Sequence, residues 1–432
     1  MDKKYIRIIS LFKKGSFVRN TFTLMIGTII SQLLVFLSSP IITRIFKPEA
    51  LGISASYAAL ITIIGGFITW KYELGLLIPK SSKIALSMLH LGVSLSVISC
   101  TIVFFVIIYG HKIIANLMGI AGYERVLYLL PLSLLLSALL LLLANWNIRN
   151  KKFSLVGFSR ASQSGGAVLS EIILGLFLTN NVWGLLISQL IGQAIGTIVL
   201  LIRQLKIIYF KVNGLYLQRL KRIAYKYRAF PQYMSIAGIV NNLATYAPIF
   251  ILGSYFSSSV VGYYALAQRA IQAPVSIIGG SVADVFFKEA SDLAEQPKRL
   301  HQQSIRVAVT LLALGSIPVI ILIFFGPLLF EFVFSSEWRI SGKFAQIMSI
   351  YLLFQFVFSP LSNLFNVLER QRLYQIWEWI RLFLVVTGTL LGTRLNTPIG
   401  VVICYSISMS LSYLILGILV FKIIKNHDKH VQ

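Results

Sequence analysis

The stretch Val126–Leu143, VLYLLPLSLLLSALLLLL, is eighteen residues long, carries no charge, and contains twelve leucines. Its apolar positions do not alternate with polar ones, as a barrel strand requires, and they are not confined to one helical stripe. A segment apolar on all sides is stable where its whole surface meets hydrocarbon or a protein core. A run of about 20 such residues is the length that crosses a bilayer as a helix.

The rest of the chain repeats this pattern. Of 432 residues, 57% are hydrophobic and 12% charged, and the mean hydropathy is +0.81. Soluble domains carry about 25% charged residues, so this composition excludes a water-covered fold and, by its aliphatic content, a disordered chain. A backbone in lipid must satisfy its own hydrogen bonds, which leaves helices. Twelve spans are expected, at 20–43, 51–70, 84–109, 126–147, 158–178, 183–203, 232–253, 260–281, 305–330, 344–366, 373–394 and 398–421.

Lysine and arginine set the orientation. With the N-terminus in the cytoplasm, the inner segments carry thirty of these residues and the outer segments seven, while Arg269 and Arg381 fall within spans. That asymmetry is the positive-inside pattern, and it predicts both chain ends on the inner side. The net charge of +25 is explained in the same way, so no nucleic-acid partner is implied. Cys100 and Cys404 fall in spans, the five histidines lack metal-ligand spacing, and no P-loop or nucleophile elbow is present; no cofactor or metal site is implied.

The longest inner loop divides the spans into two sets of six. The expected organisation is an amphipathic cytoplasmic N-terminus (1–19), a six-helix lobe (20–203), a basic linker (204–230), a second six-helix lobe (231–424) and a tail (425–432). Because six is even, any repeat between the lobes is parallel. A shift of 210 residues pairs Leu33 with Leu243, Phe46 with Phe256, Gly52 with Gly262 and Ala55 with Ala265. Coincidence between two apolar sequences is the competing explanation of these pairs.

Ionisable residues inside spans are candidate functional groups, because their burial in lipid is costly. Arg269 lies in span eight beside Gln268 and Gln272, with Pro274 freeing a backbone carbonyl nearby; it either lines a cavity or fixes helix packing. Glu171, deep in span five, is the candidate proton carrier, with a structural pairing as the alternative. Glu378 and Arg381 stand three apart in span eleven, which suits an internal ion pair as well as a substrate contact. Lys71 and Glu73 after span two, and Arg160 opening span five, serve topology or form a cationic inner mouth. Gln32, Asn241 and Asn242 are polar within spans and either join helices or line a wet cavity.

Several segments resemble the polysaccharide-transporter branch of the multidrug/oligosaccharidyl-lipid/polysaccharide exporter superfamily, and the Wzx-type O-antigen flippases in particular. They are Thr43–Gly52 (TRIFKPEALG), Trp70–Pro79 (WKYELGLLIP), Asn145–Phe153 (NWNIRNKKF), Val261–Arg269 (VGYYALAQR) with Pro274, Val285–Ala290 (VFFKEA), and Phe325–Phe334 (FGPLLFEFVF) with Glu337-Trp338. The resemblance implies an all-α protein with two six-helix bundles around a cavity that opens alternately to each side. It further implies a non-enzymatic transporter in a bacterial inner membrane. The implied substrate is a polyprenyl-pyrophosphate-linked oligosaccharide, flipped with ion or proton coupling as in an antiporter. Membrane lipids, a polysaccharide polymerase and a chain-length regulator are the implied partners. Under that reading Arg269, Arg381, Arg160 and Lys71 are the cations for the pyrophosphate. A drug or metabolite exporter of the same superfamily, and a membrane-embedded glycosyl transferase or ligase, are the alternatives.

Overall fold

The computed structural model describes residues 17–178, 181–202 and 214–431. The expected amphipathic N-terminus lies almost wholly outside them, as does the first part of the linker. Among the described residues the secondary structure is helical, without strands.

Within those residues twelve long helices follow one another: α1 (Phe17–Ile45), α2 (Pro48–Ile68), α3 (Ser82–Leu117), α4 (Leu130–Arg149), α5 (Phe153–Phe177), α6 (Val182–Leu201), α7 (Ile236–Tyr255), α8 (Ser258–Asp292), α9 (Pro297–Phe334), α10 (Arg339–Leu361), α11 (Gln371–Thr393) and α12 (Pro398–Val431). A thirteen-residue amphipathic helix, Gly214–Lys226, precedes α7. Several helices outrun the apolar spans expected from sequence: α8, α9 and α12 reach 35, 38 and 34 residues. Hydropathy marks where a helix leaves hydrocarbon, whereas the helix itself continues until its backbone is broken or capped.

Among the described residues, eleven helical segments are long and apolar enough to cross a membrane. α5 is the long helix outside that set, because its first half carries the polar run Ser159-Arg-Ala-Ser-Gln-Ser-Gly-Gly166. Large apolar side chains stand on outer surfaces, with Tyr109 and Phe332 each 85% exposed. Surface of this kind is sustained by lipid, not water.

The described chain forms two compact units. The first takes in the chain up to Phe46, Tyr57–Ala115 and Ala121–Ile239; the second takes in Lys47–Ser56, Asn116–Ile120 and Val240 onward. In the first, α5 packs along α1 and α6, and α4 along α6. In the second, α11 packs along α12, and α10 along α8, α9 and α12. The pairs α5–α6 and α4–α6 thus recur as α11–α12 and α10–α12.

Two glycines set the tightest approach in the second unit. A methyl added at Gly52 would sit 2.8 Å from the Gly262 amide nitrogen and nearer still to the Ser258 carbonyl oxygen. One added at Gly262 would sit 2.7 Å from the Pro48 carbonyl carbon and nearer still to its oxygen. The contacts are reciprocal, and both partners are related by the 210-residue shift: Pro48 to Ser258, and Gly52 to Gly262. Only glycine lets the two backbones meet there.

Candidate functional site

In the second unit, α7 and α11 hold a charged cluster. Glu378 and Arg381, one turn apart on α11, form an ion pair at 2.9 Å. Asn241 on α7 closes the cluster from the facing side. Its side-chain amide donates to Glu378 Oε1 at 3.0 Å, and its backbone carbonyl accepts from an Arg381 guanidinium nitrogen at 3.2 Å. The guanidinium lies over Trp377, 5.2 Å from the ring centroid, and the Trp377 indole donates to the Ser412 carbonyl at 2.8 Å. Glu378 and Arg381 are each 5% exposed. The helical spacing that suggested an internal pair is therefore realised, with the charges compensated in place. Of the tryptophans flanking Glu378, Trp377 is buried and Trp379 is 55% exposed.

Arg269 stands half-buried on α8, as do Gln268 and Gln272. Ser257 caps that helix by accepting from the Val260 amide. One turn before Gln268, Tyr264 is fully buried and packs edge-on to Tyr405 of α12 at 6.0 Å; Tyr351 of α10 meets the same ring at 5.4 Å. These aromatics hold α8 against α10 and α12 and so fix the height of Arg269. Pro274 lies inside the helix, where it removes the donor to the Ala270 carbonyl. An open apolar cleft of about 410 Å³ lies between α7 and α11, lined by Leu243, Ala247, Trp379, Leu382 and Phe383.

In the first unit, the polar run of α5 faces α1. Arg160 donates to the Thr28 hydroxyl at 2.7 Å, and the Ser31 and Ser164 hydroxyls are hydrogen-bonded to each other. A methyl at Gly27 would fall 2.6 Å from the Gly157 carbonyl oxygen, so this crossing too requires bare backbone. Gln32 is half-buried on α1, and Glu171 is half-buried on α5, eleven residues beyond Arg160. Arg269, Glu171, Gln32 and Asn242 each have an interaction within the protein. Thr28 and Ser164 were not singled out from sequence; the signal was the i, i+4 spacing of Arg160 and Ser164, matched by Thr28, Ser31 and Gln32.

Lys71 and Glu73 form an ion pair whose two members are buried to different depths. The chain turns through two left-handed residues, Trp70 (φ 53) and Lys71 (φ 59), before the single turn Tyr72–Gly75. That reversal carries Glu73 inward to 1% exposure, where it accepts from Thr69 Oγ1 at 2.5 Å and faces the Lys71 ammonium at 3.8 Å. Among the described residues, no cluster of three His, Cys, Asp or Glu side chains could hold a metal ion.

These features define a polytopic helical membrane protein. The structure is similar to that of the lipid II flippase MurJ in an inward closed conformation (TM-score 0.71, 18% identity, covering 94% of this chain and 91% of that one). It is also similar to an inward-facing multidrug resistance MATE family transporter of the MOP superfamily (0.69, 14%, 94% and 99%). A third similar structure is a MOP superfamily transporter from Pyrococcus furiosus described as having a binding pocket of reverse polarity (0.61, 14%, 95% and 96%). No curated protein matches the sequence. Residues 41–342 match the model of the polysaccharide biosynthesis protein family, and the chain belongs to that family.

Proposed function

We propose that this protein is a flippase for a polyprenyl-pyrophosphate-linked oligosaccharide, an O-antigen or other surface-polysaccharide repeat unit. It carries its substrate by alternating access from the cytoplasmic to the periplasmic leaflet of a bacterial inner membrane, driven by a proton or ion gradient. The observation that carries this reading is membership of a polysaccharide biosynthesis family by a chain with a transporter fold. A saccharide pathway needs a membrane carrier where its intermediates are lipid-linked.

The chemistry of the candidate residues supports the assignment. A pyrophosphate brought into low dielectric needs charge-assisted donors, for which an arginine is well suited. Arg269 has that role, with the Gln268 and Gln272 amides, and Asn242 and Gln32, as donors and acceptors for sugar hydroxyls. Arg160 and Lys71 draw in the anionic head group, Lys71 while sharing its charge with Glu73. Arg381 and Asn241 act through the α7–α11 cluster, because Glu378 already neutralises the guanidinium. The cleft of Leu243 and Phe383 suits hydrocarbon. Glu171 is the coupling carboxylate, and no reacting group is required, so the protein acts as a carrier and not an enzyme.

The similarity to multidrug transporters makes a drug or metabolite exporter the second reading. Complementation separates them. In a host lacking its own flippase for the repeat unit, wild-type protein restores surface polysaccharide, and Arg269→Ala leaves lipid-linked units on the inner leaflet. Loss of drug efflux with normal polysaccharide would favour the exporter.

A further inference from the structure

The helix Gly214–Lys226 has a face that the transport reading leaves unused. Its inner side is anchored: Leu220 and Ile223 are buried against Tyr72, Leu76, Met88, Leu89 and Trp146. The Tyr72 hydroxyl donates to the Ala224 carbonyl at 3.1 Å, and Tyr216 is hydrogen-bonded to His90 Nδ1. Burial pushes the Tyr216 phenol above its ordinary pKa, so it is un-ionised at neutral pH. These partners belong to the first turns of α3, the last turn of α4 and the turn after α2. They place the helix at the ends of three spans.

The outer side is cationic and partly apolar. Lys221, Arg222, Lys226 and Arg228 are exposed around Tyr225 and Leu217, themselves 69% and 48% exposed. Arg228 lies over the Tyr225 ring at 4.4 Å. Between Glu171 and Asp284 the sequence contains no acidic residue. Among the described residues of this unit the acids are Glu73, Glu124 and Glu171. Glu73 is buried with Thr69 and Lys71. Glu124 precedes the opposite end of α4, and Glu171 lies eighteen residues into α5, roughly 27 Å from its start at 1.5 Å per residue. The described residues of this unit supply no counter-charge to this face.

We infer that the outer face of Gly214–Lys226 is a docking surface for anionic phospholipid head groups of the inner leaflet. Cations around exposed Tyr and Leu side chains, held at the ends of three spans, have the pattern of an interfacial helix. The cations pair with lipid phosphates while Tyr225 and Leu217 enter the acyl boundary. This inference stands apart from the identity of the transported substrate.

The test is native mass spectrometry of the purified full-length protein titrated with phosphatidylglycerol or phosphatidylcholine. The triple variant Lys221→Gln/Arg222→Gln/Lys226→Gln should bind phosphatidylglycerol more weakly by roughly tenfold or more, since each cation adds to the attraction. Its phosphatidylcholine binding should be unchanged. A charge-keeping triple, Lys221→Arg/Arg222→Lys/Lys226→Arg, should bind as wild type does, and so should Lys298→Gln/Arg299→Gln at the start of α9. Unchanged phosphatidylglycerol binding in the Gln triple, an equal loss of phosphatidylcholine, or an equal loss in the α9 control overturns the inference. Displacement of the bound lipid by soluble pyrophosphate at matching concentration also overturns it, because the face would then read free phosphate. If the Gln triple does not fold, wild-type protein decides: phosphatidylglycerol binding must weaken with salt, and salt-insensitive binding refutes the docking surface.

Discussion

Substituting Gly52 by alanine forces a methyl into the crossing with α8, 2.8 Å from the Gly262 nitrogen. Carbon contacts are optimal from about 3.5 Å, so clearing the Gly262 nitrogen alone takes roughly 0.7 Å and clearing the nearer Ser258 oxygen takes more; a gap of about 0.7 Å already forfeits a quarter to a half of the local dispersion energy. With the accompanying strain, an overpacked site of this kind loses about 1–3 kcal/mol. Gly262→Ala meets Pro48 in the same crossing and should lose a similar amount. Once one methyl has opened the crossing, the second has less to disrupt, so the double variant should fall short of additivity by about 0.5 kcal/mol or more. Gly280→Ala in the same helix is the control, since its methyl would meet nothing within 4 Å. Alanine's better helix propensity should leave that variant neutral or up to about 1 kcal/mol more stable. Unfolding of the purified protein by increasing SDS mole fraction measures all four. Wild-type stability in Gly52→Ala, or full additivity in the double variant, would refute the reciprocal contact.

For Arg269, alanine should abolish export while lysine retains part of it, because a charge-assisted contact contributes about 1.5–3 kcal/mol and lysine keeps the charge without the fork; normal export by the alanine variant at normal expression removes Arg269 from the site. Arg381→Met alone or Glu378→Gln alone should lose about 3–5 kcal/mol by stranding a buried partner, and the combined Glu378→Leu/Arg381→Met variant should lose less than the sum. Those losses are measured by the same unfolding assay, and a stable Arg381→Met protein that fails to export would instead make Arg381 a direct substrate ligand. Glu171→Gln should weaken the dependence of transport on the imposed gradient in proteoliposomes, whereas unaltered coupling would assign Glu171 a packing role.

The helical membrane class was legible because hydropathy and the lysine–arginine asymmetry act along the whole chain. The Gly52–Gly262 correspondence was also visible, since glycine at a backbone crossing cannot drift in sequence without losing the contact. Helix ends were less legible: α9 begins at Pro297, before its apolar run, because helical hydrogen bonding does not stop at the edge of the hydrocarbon. The polar run of α5 illustrates the converse, a helix whose hydropathy falls because one face meets Thr28 and Ser31 instead of lipid. Spacing alone admitted both roles for Arg381; the facing Asn241, 140 residues away in sequence, is what closes the pair. The burial of Glu73 depends on two left-handed residues that no simple pattern announces, since neither Trp70 nor Lys71 is a glycine or an asparagine.

The most direct measurement follows a fluorescent polyprenyl-pyrophosphate-linked oligosaccharide in sealed proteoliposomes, using a membrane-impermeant quencher to report its leaflet. Wild-type protein should carry the labelled head group across under an imposed proton or ion gradient, and Arg269→Ala should not. Absence of movement by folded wild-type protein under every gradient, together with export of unrelated cationic compounds, would contradict the assignment.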